Sequence, residues 1–397
     1  MQALPRWDGP YASTSLTIAK ELSKYYRVFY VDHPFTWKDQ LNDQNKTQLQ
    51  FRRKFWDQGI FHYWPYEEYH NLVVISPKPL LPINFLPQGK TYNTLAKYQN
   101  AHVWKYIDLV LNLFEEKEIV YINSFDPVYS QVQSRYEIKK VIYHCVDLIE
   151  GERYIAKHGI SAEKELATRA DMVITTSKAL KQKLSVYNDN CECVENGVDY
   201  TFFTEQGKTA SVPLDIQGIP TPRVLYTGNI GLRIDYETIE EAAKKLPDYH
   251  FVLVGPENQR EFKGEGLKAL SNVHFLGKKP YEEIPAYVKA ADICFIPFLC
   301  NELTKHIYPL KINEYLSLGK PVVCSDFAQL EDFKGVISLY HQSKPLYQVL
   351  QEVLKTHDES KALKYRTIAK SNSWKHRAEE FNNLIKQLLQ YETIDPS

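Results

Sequence analysis

The second half of the chain alternates between short apolar runs and segments of helical period. Val224 to Thr227, His250 to Val254, Val273 to Leu276, Asp292 to Pro297, Val322 to Ser325 and Val336 to Leu339 are continuous apolar runs of strand length. Between them, Asp235 to Leu246 places Ile239, Ala242, Ala243 and Leu246 on one helical face. The first half shows the same alternation less regularly. Ser13 to Lys24 reads as a helix with Leu16, Ala19 and Leu22 aligned and Ser or Thr available as a cap, and Arg27 to Asp32 follows as a strand. Further strands are read at Asn71 to Ile75, Glu118 to Ile122, Lys139 to His144 and Asp171 to Thr175, and Cys191 to Val194 with Glu195 to Asp199 closes the first half. Helices are read over Thr91 to Glu116, Glu163 to Arg169 and Ser177 to Val186.

Two stretches break the rhythm. Met1 to Leu4 is barely long enough for the strand that should precede the first helix, so either the fold opens on a very short strand or a longer natural chain starts earlier. Residues 33–70 are polar and aromatic by turns with no clean period, which predicts an insertion at the sheet edge or a binding loop.

Strand–helix alternation in both halves predicts an α/β fold of two Rossmann-like doubly wound domains, each with its ligand edge at the carboxyl ends of its strands. The expected organisation is a first domain over 1–203, a linker over the Gly-, Pro- and Ser-containing stretch 204–222, a second domain over 223–372, and a last segment over 373–397. That segment carries Trp374, Ala378, Phe381, Ile385 and Leu388 at helical spacing.

Composition narrows the function classes. At 397 residues two domains are the default, since a domain takes ~100–200. A formal net charge of -1 argues against nucleic acid as a partner. Six scattered cysteines without CxxC or Cys/His spacing point to reduced thiols in the cytoplasm rather than disulfides or zinc, and no D-x-D pair suggests a bound divalent metal. No run approaches the ~18 apolar residues that span a bilayer. Pro77 to Pro87 (PKPLLPINFLP) is apolar and proline-rich. It reads as a packed connector or as a lip that touches a lipid-linked acceptor, and its prolines exclude an amphipathic membrane helix.

The chemistry gathers where strands end. His306 to Val323 reads as loop, short helix, stop and buried strand, with Pro309 at the first helical position and Gly319 just past the end. The front of that helix offers free N–H groups and a positive dipole end to an anion. Lys311 in its first turn suits a diphosphate, and Glu314 one turn on suits ribose hydroxyls. The same two residues equally suit an i,i+3 surface ion pair. Gly228-Asn229-Ile230-Gly231 with Arg233 follows the first strand of the second half. Its glycines let a ligand approach the backbone, and Arg233 forks onto phosphate or stays in solvent. Gly255 and Pro256 end the next strand and line the same pocket or turn the chain. In the first half, His144 and Asp147 close a strand at the equivalent edge, where either serves as acid, base or sugar ligand, or His144 is structural. Trp7 and Asp8 sit in the loop before the first helix, positioned to hold an acceptor or to form a capped turn. GxGxxG, GxSxG, HExxH and Walker motifs are absent, which disfavours a dehydrogenase among others.

These residues together resemble the two-Rossmann-domain GT-B glycosyltransferases, specifically the large retaining family four and its teichuronic-acid-biosynthesis-like branch. The resemblance runs from Trp7 to Leu389. It is strongest at YHCVDL (143–148), ADMVITTSKAL (170–180), ENGVD (195–199), LYTGNI at the start of the second domain, AADICFIPF (290–298) and YPLKINEYLSLGKPVV (308–323). It implies two domains facing a cleft and a terminal helix from Trp374 that crosses back to the first. It further implies Glu314 on the nucleotide ribose and Arg233 and Lys311 on the donor diphosphate, with Thr304, His306, Tyr308, Pro309 and Leu310 around the donor. Two departures stand out. Family members carry a pair of glutamates separated by seven residues, and the first of these is here His306. The first loop is altered to RWDGPY.

The function this implies is transfer of a sugar, with retention, from a nucleotide-diphosphate sugar to a cell-surface polysaccharide or a lipid-linked glycan precursor, without a cofactor or metal. A lipid-linked acceptor adds peripheral contact at the inner face of the membrane. The rival readings are a non-catalytic nucleotide-sugar or glycan binder, suggested by His306, and a nucleotide-sugar epimerase of the same architecture.

Overall fold

The computed structural model describes residues 1–9, 13–152 and 155–390. Pro10 and Tyr11 of the RWDGPY loop, and residues 391–397 of the expected terminal segment, lie outside these. The chain divides into two compact units, Met1–Glu195 joined by Arg377–Ser397, and Asn196–His376.

The first unit is built on eight strands: β1 (Gln2–Ala3), β2 (Val28–Asp32), β3 (His62–Tyr63), β4 (Leu72–Ile75), β5 (Glu118–Ser124), β6 (Glu137–Cys145), β7 (Met172–Thr175) and β8 (Cys191–Cys193). Their order is β3-β4-β2-β1-β5-β6-β7-β8, parallel throughout except for the edge pair β3–β4. The short opening strand is central. Gln2 sits in register with Val31 on one side and Asn123 on the other, so two residues suffice because both neighbours hold them. Five helices connect these strands: α1 (Thr14–Leu22), α2 (Lys46–Trp56), α3 (Lys90–Leu113), α4 (Ala156–Arg169) and α5 (Lys178–Leu184). Ser13 caps α1 and Ser177 caps α5, each accepting from the N–H three residues on.

The irregular stretch 33–70 contains a whole helix, α2, that its period does not reveal. Its buried face is Leu49, Arg52 and Trp56, and the arginine in that stripe breaks the apolar pattern.

The second unit is a six-stranded parallel sheet: β9 (Arg223–Thr227), β10 (His250–Val254), β11 (Val273–Gly277), β12 (Ile293–Ile296), β13 (Val322–Ser325) and β14 (Ile337–Tyr340). The order β11-β10-β9-β12-β13-β14 reverses direction between β9 and β12, which is where a doubly wound sheet opens a crevice at its carboxyl edge. Helices α6 (Tyr200–Thr209), α7 (Leu214–Gln217), α8 (Tyr236–Lys245), α9 (Ile284–Ala290), α10 (Glu302–Lys305), α11 (Leu310–Ser317), α12 (Leu346–Thr356) and α13 (Glu359–Ser371) surround it. The expected linker 204–222 is not an open tether. It holds the end of α6 and all of α7, Ile216 and Ile219 are buried in the second unit's core, and the division between units falls at Glu195/Asn196.

The last helix, α14 (Trp374–Gln390), starts in the second unit and continues in the first. There Asn382 accepts a 2.7 Å hydrogen bond from the Tyr26 hydroxyl just after α1, and Phe381 packs edge-on against His144 with ring centroids 5.3 Å apart. No described helix is long and apolar enough to cross a membrane.

Candidate active site

The carboxyl edge of the second sheet is shaped by two glycines. Gly228 leaves β9 at φ +143° and Gly255 leaves β10 at φ +152°, a region open to glycine and strained for other residues. Their backbones nearly touch, so a Cβ on Gly255 would overlap the Gly228 carbonyl. Hydrogen bonds fix the crossing: Gly228 N–H donates to Val254 at 2.8 Å, Gly255 N–H to Gly277 at 2.9 Å and Ile230 N–H to Pro256 at 2.9 Å. A ligand can therefore reach bare backbone between two strand ends. Asn229 stands exposed on the outer rim of this turn.

Helix α11 brings the charged groups to that turn. Pro309 occupies its N-cap rather than its first helical position, one residue earlier than expected. At the other end Gly319 adopts φ +71°, with Gly319 N–H donating to Leu316 and Lys320 N–H to Tyr315, a Schellman stop of the kind its sequence predicts. Tyr315 is fully buried, and its hydroxyl lies 2.9 Å from Thr227 N and 3.1 Å from Thr227 Oγ1, which pins the helix to the end of β9. Lys311 consequently lies over Gly228: a Cβ there would overlap Lys311 Cε and come within 3.1 Å of Nζ. Lys311 and Glu314 do not form the i,i+3 ion pair that their spacing allows. No hydrogen bond or ion pair engages either side chain among the described residues. Glu314 is half-buried, and desolvation pushes its pKa above the usual carboxylate range while Lys311 pulls the other way.

Arg233 belongs to the same cluster. The segment after Gly231 runs antiparallel to the exit of β12, with Asp235 N–H donating to Pro297 at 2.8 Å and Leu299 N–H to the Arg233 carbonyl at 2.9 Å. This holds Arg233 at the reversal point of the sheet. Arg233 and Glu314 both act electrostatically on the buried Tyr226 hydroxyl. Burial raises its pKa, Arg233 opposes that and Glu314 adds to it. Tyr226 in turn donates to the Asn229 carbonyl at 3.1 Å and supports the glycine turn.

Other expected donor residues are spent on packing. Thr304 is buried with its hydroxyl donating to the Leu299 carbonyl inside an Asn301/Thr304 capping box, and Tyr308 is buried with its ring against Phe333 at 5.6 Å. Pro309 is buried and Leu310 half-buried as α11 begins. His306 ends α10 with Nδ1 2.8 Å from the Glu302 carbonyl, to which it donates.

In the first unit the acceptor-side residues have internal partners. Arg52, 1% exposed, reaches both Asp8 oxygens at 2.7 and 2.9 Å, Asp32 at 2.6 Å and Ser76 at 3.2 Å. Trp7 donates to the Tyr63 hydroxyl at 2.8 Å and packs among Phe51, Tyr63 and Tyr66. Asp8 does not cap the helix that follows: Arg52 holds both its oxygens, and Ser13 caps α1. His144 is a structural histidine. It is buried, hydrogen-bonded to Ser124 at 2.8 Å, and burial lowers its pKa to about 3, so it stays neutral. Asp147 lies beyond β6, half-buried, with one oxygen accepting from Leu148 N–H at 2.8 Å. Sequence reasoning missed Tyr226, Tyr315 and Arg52. Tyr315 was detectable as the residue four beyond Lys311 on a buried face, whereas Arg52 had no signal.

Residues 221–354, which contain the glycine turn, Arg233, Lys311 and Glu314, match the family "Glycosyl transferases group 1". The putative teichuronic acid biosynthesis glycosyltransferase TuaH of Bacillus subtilis (strain 168) is 28% identical over 290 residues, 68% of this chain and 70% of that protein. Among solved structures, sucrose-phosphate synthase from Thermosynechococcus elongatus superposes with a TM-score of 0.67 at 16% identity, covering 98% of this chain and 99% of that one. HepE of Anabaena in complex with UDP-glucose gives 0.64 at 16% identity, covering 97% and 99%. At such identities the structures establish the fold, which is GT-B.

Proposed function

We propose that this chain, a group 1 glycosyltransferase of GT-B fold and a distant homologue of TuaH, transfers a hexose from a nucleotide-diphosphate sugar to a cell-surface polysaccharide or its lipid-linked precursor. The observation that carries the reading is the pair of unengaged charges at the carboxyl edge of the second sheet. Lys311 lies over the Gly228 turn, and Glu314 is half-buried without a hydrogen bond. A protein does not keep a desolvated carboxylate without a hydrogen bond for stability, since its burial costs free energy without return.

On this reading Glu314 accepts the ribose hydroxyls, and Lys311, Arg233 and the first N–H groups of α11 take up the charge that develops on the departing diphosphate. Gly228 and Gly255 let the phosphates approach the backbone. We assign charge neutralisation to these side chains rather than to a metal because the sequence lacks a D-x-D pair. Asp147 remains the acceptor-side candidate. HepE, a protein of the same fold, binds UDP-glucose, and TuaH is linked by name to teichuronic acid. A lipid-linked precursor would hold the reaction at the cytoplasmic face of the membrane.

The second reading is a non-catalytic binder, favoured by His306 where the resemblance calls for a glutamate. A thermal-shift screen of UDP, GDP and their sugars, followed by product analysis with and without a glycan acceptor, separates the possibilities. Acceptor-dependent release of the nucleoside diphosphate supports transfer. Stabilisation without turnover leaves a binder, and conversion of the donor without acceptor gives an epimerase.

A further inference from the structure

The stretch Pro77 to Pro87 divides its apolar residues in two. Leu80 and Ile83 are buried and anchor the segment, Ile83 against Tyr92 and Ala96. Leu81 and Phe85 face solvent, 47% and 73% exposed. The segment is hydrogen-bonded to its neighbour 35–41, with Trp37 N–H donating to the Leu80 carbonyl at 2.9 Å and Leu80 N–H to the Phe35 carbonyl at 2.8 Å. That neighbour exposes two further large apolar side chains, Trp37 at 58% and Leu41 at 87%. A soluble surface scatters such residues singly, and four on two joined segments need a partner.

The flanking charges indicate which partner. Lys157 of α4 donates to the Phe85 carbonyl at 2.8 Å, and Gln88 reaches Ser161 of the same helix at 3.0 Å, so α4 borders the patch. The bordering segments 36–46, 77–90 and 156–161 carry Lys38, Lys46, Lys78, Lys90 and Lys157 against Asp39 and Asp43. Asp39 is already bonded to Thr36. The region is therefore net cationic in a chain whose formal charge is -1.

We infer that this face of the first unit docks on an anionic bilayer surface, with Trp37, Leu41, Leu81 and Phe85 inserted at the level of the headgroups and the lysines against anionic lipid. Exposed apolar side chains on segments that also carry lysines are what interfacial binding requires, and the anionic surface potential favours each added lysine. The prolines of 77–87 keep the segment extended, so it presents its side chains without a helix. This inference does not depend on the donor site.

Flotation with vesicles of mixed phosphatidylglycerol and phosphatidylcholine, read alongside tryptophan emission, tests it. The full chain is expected to float with anionic vesicles, more weakly as salt rises, and with a blue shift that Trp37→Phe diminishes. Leu41→Glu/Phe85→Glu is expected to weaken vesicle binding at least tenfold, with the melting temperature and its rise on adding UDP unchanged, which keeps this test separate from the donor reading. Absence of flotation by the folded wild type would overturn the inference, as would flotation undiminished in the double variant. A concentration-dependent dimer abolished by the same variant would assign the patch to a second copy instead.

Discussion

Glu314→Gln separates stability from binding. Burial raises the pKa of Glu314 above its ordinary value of 4.5. A carboxylate whose folded pKa is raised prefers to be protonated in the native state, so its ionisation costs stability. That cost is absent below the unfolded value, grows as pH rises from there to the folded one, and is constant above both. With no hydrogen bond in compensation, the isosteric amide should stabilise the ligand-free protein at pH 7.5. Relief of such a functional-site cost is typically about 0.5–2 kcal/mol. In a unit the size of Asn196–His376, each kcal/mol moves Tm by roughly 2–4 °C, so a rise of roughly 1–8 °C is expected. Binding should move the opposite way. A hydrogen bond to a charged group contributes about 1.5–3 kcal/mol, or roughly 10- to 150-fold in Kd for a nucleoside diphosphate. Thermal melts at pH 7.5 and 4.5 with isothermal titration of UDP and GDP make the assay, and the stability gain should shrink at the lower pH. A variant that is less stable than wild type at pH 7.5 and binds UDP and GDP no more weakly would refute the reasoning.

Other elements of the site make separate predictions. Gly228→Ala places a methyl on Lys311 at a backbone angle that costs non-glycine residues about 1–3 kcal/mol. It should lower Tm and displace Lys311, and unchanged affinity for a nucleoside diphosphate would count against the contact. Tyr315→Phe leaves Thr227 N–H without its buried acceptor, at about 1–3 kcal/mol by urea denaturation, and loosens α11 from β9. His144 is neutral in the fold, so the unfolded chain binds a proton that the native one does not as pH falls from 6.5 towards 3. His144→Gln should therefore lose its stability deficit relative to wild type as pH drops through that window, and a constant deficit would show that burial leaves the His144 titration unshifted.

The sheet of the second unit was readable because its four inner strands are buried on both faces and appear as continuous apolar runs. The first unit was harder to read where burial was paid for by charge. Helix α2 hides behind Arg52, whose guanidinium takes a core position only because Asp8 of the first loop and Asp32 at the end of β2 meet it. The same pairing gives Asp8 an internal partner, and spacing does not say where a side chain finds one. Residues 204–222 look like a linker because Pro213 and Gly218 punctuate them, yet here they bound a four-residue helix. In the second unit, sequence spacing placed Lys311 and Glu314 on one helix. Only the structure shows that the two form no ion pair and that Tyr315 sets their helix against the glycine turn.

The central claim is that Lys311 and Arg233 bear the charge of a departing diphosphate at the carboxyl edge of the second sheet. It is tested most directly by the acceptor-dependent transfer rate of Lys311→Ala, once the nucleotide-sugar screen has named the donor. Loss of one preorganised donor to a developing charge costs about 2.7–4 kcal/mol of barrier, so turnover should fall roughly 10²- to 10³-fold while the fold is retained. Transfer at the wild-type rate by a folded Lys311→Ala protein would contradict the account.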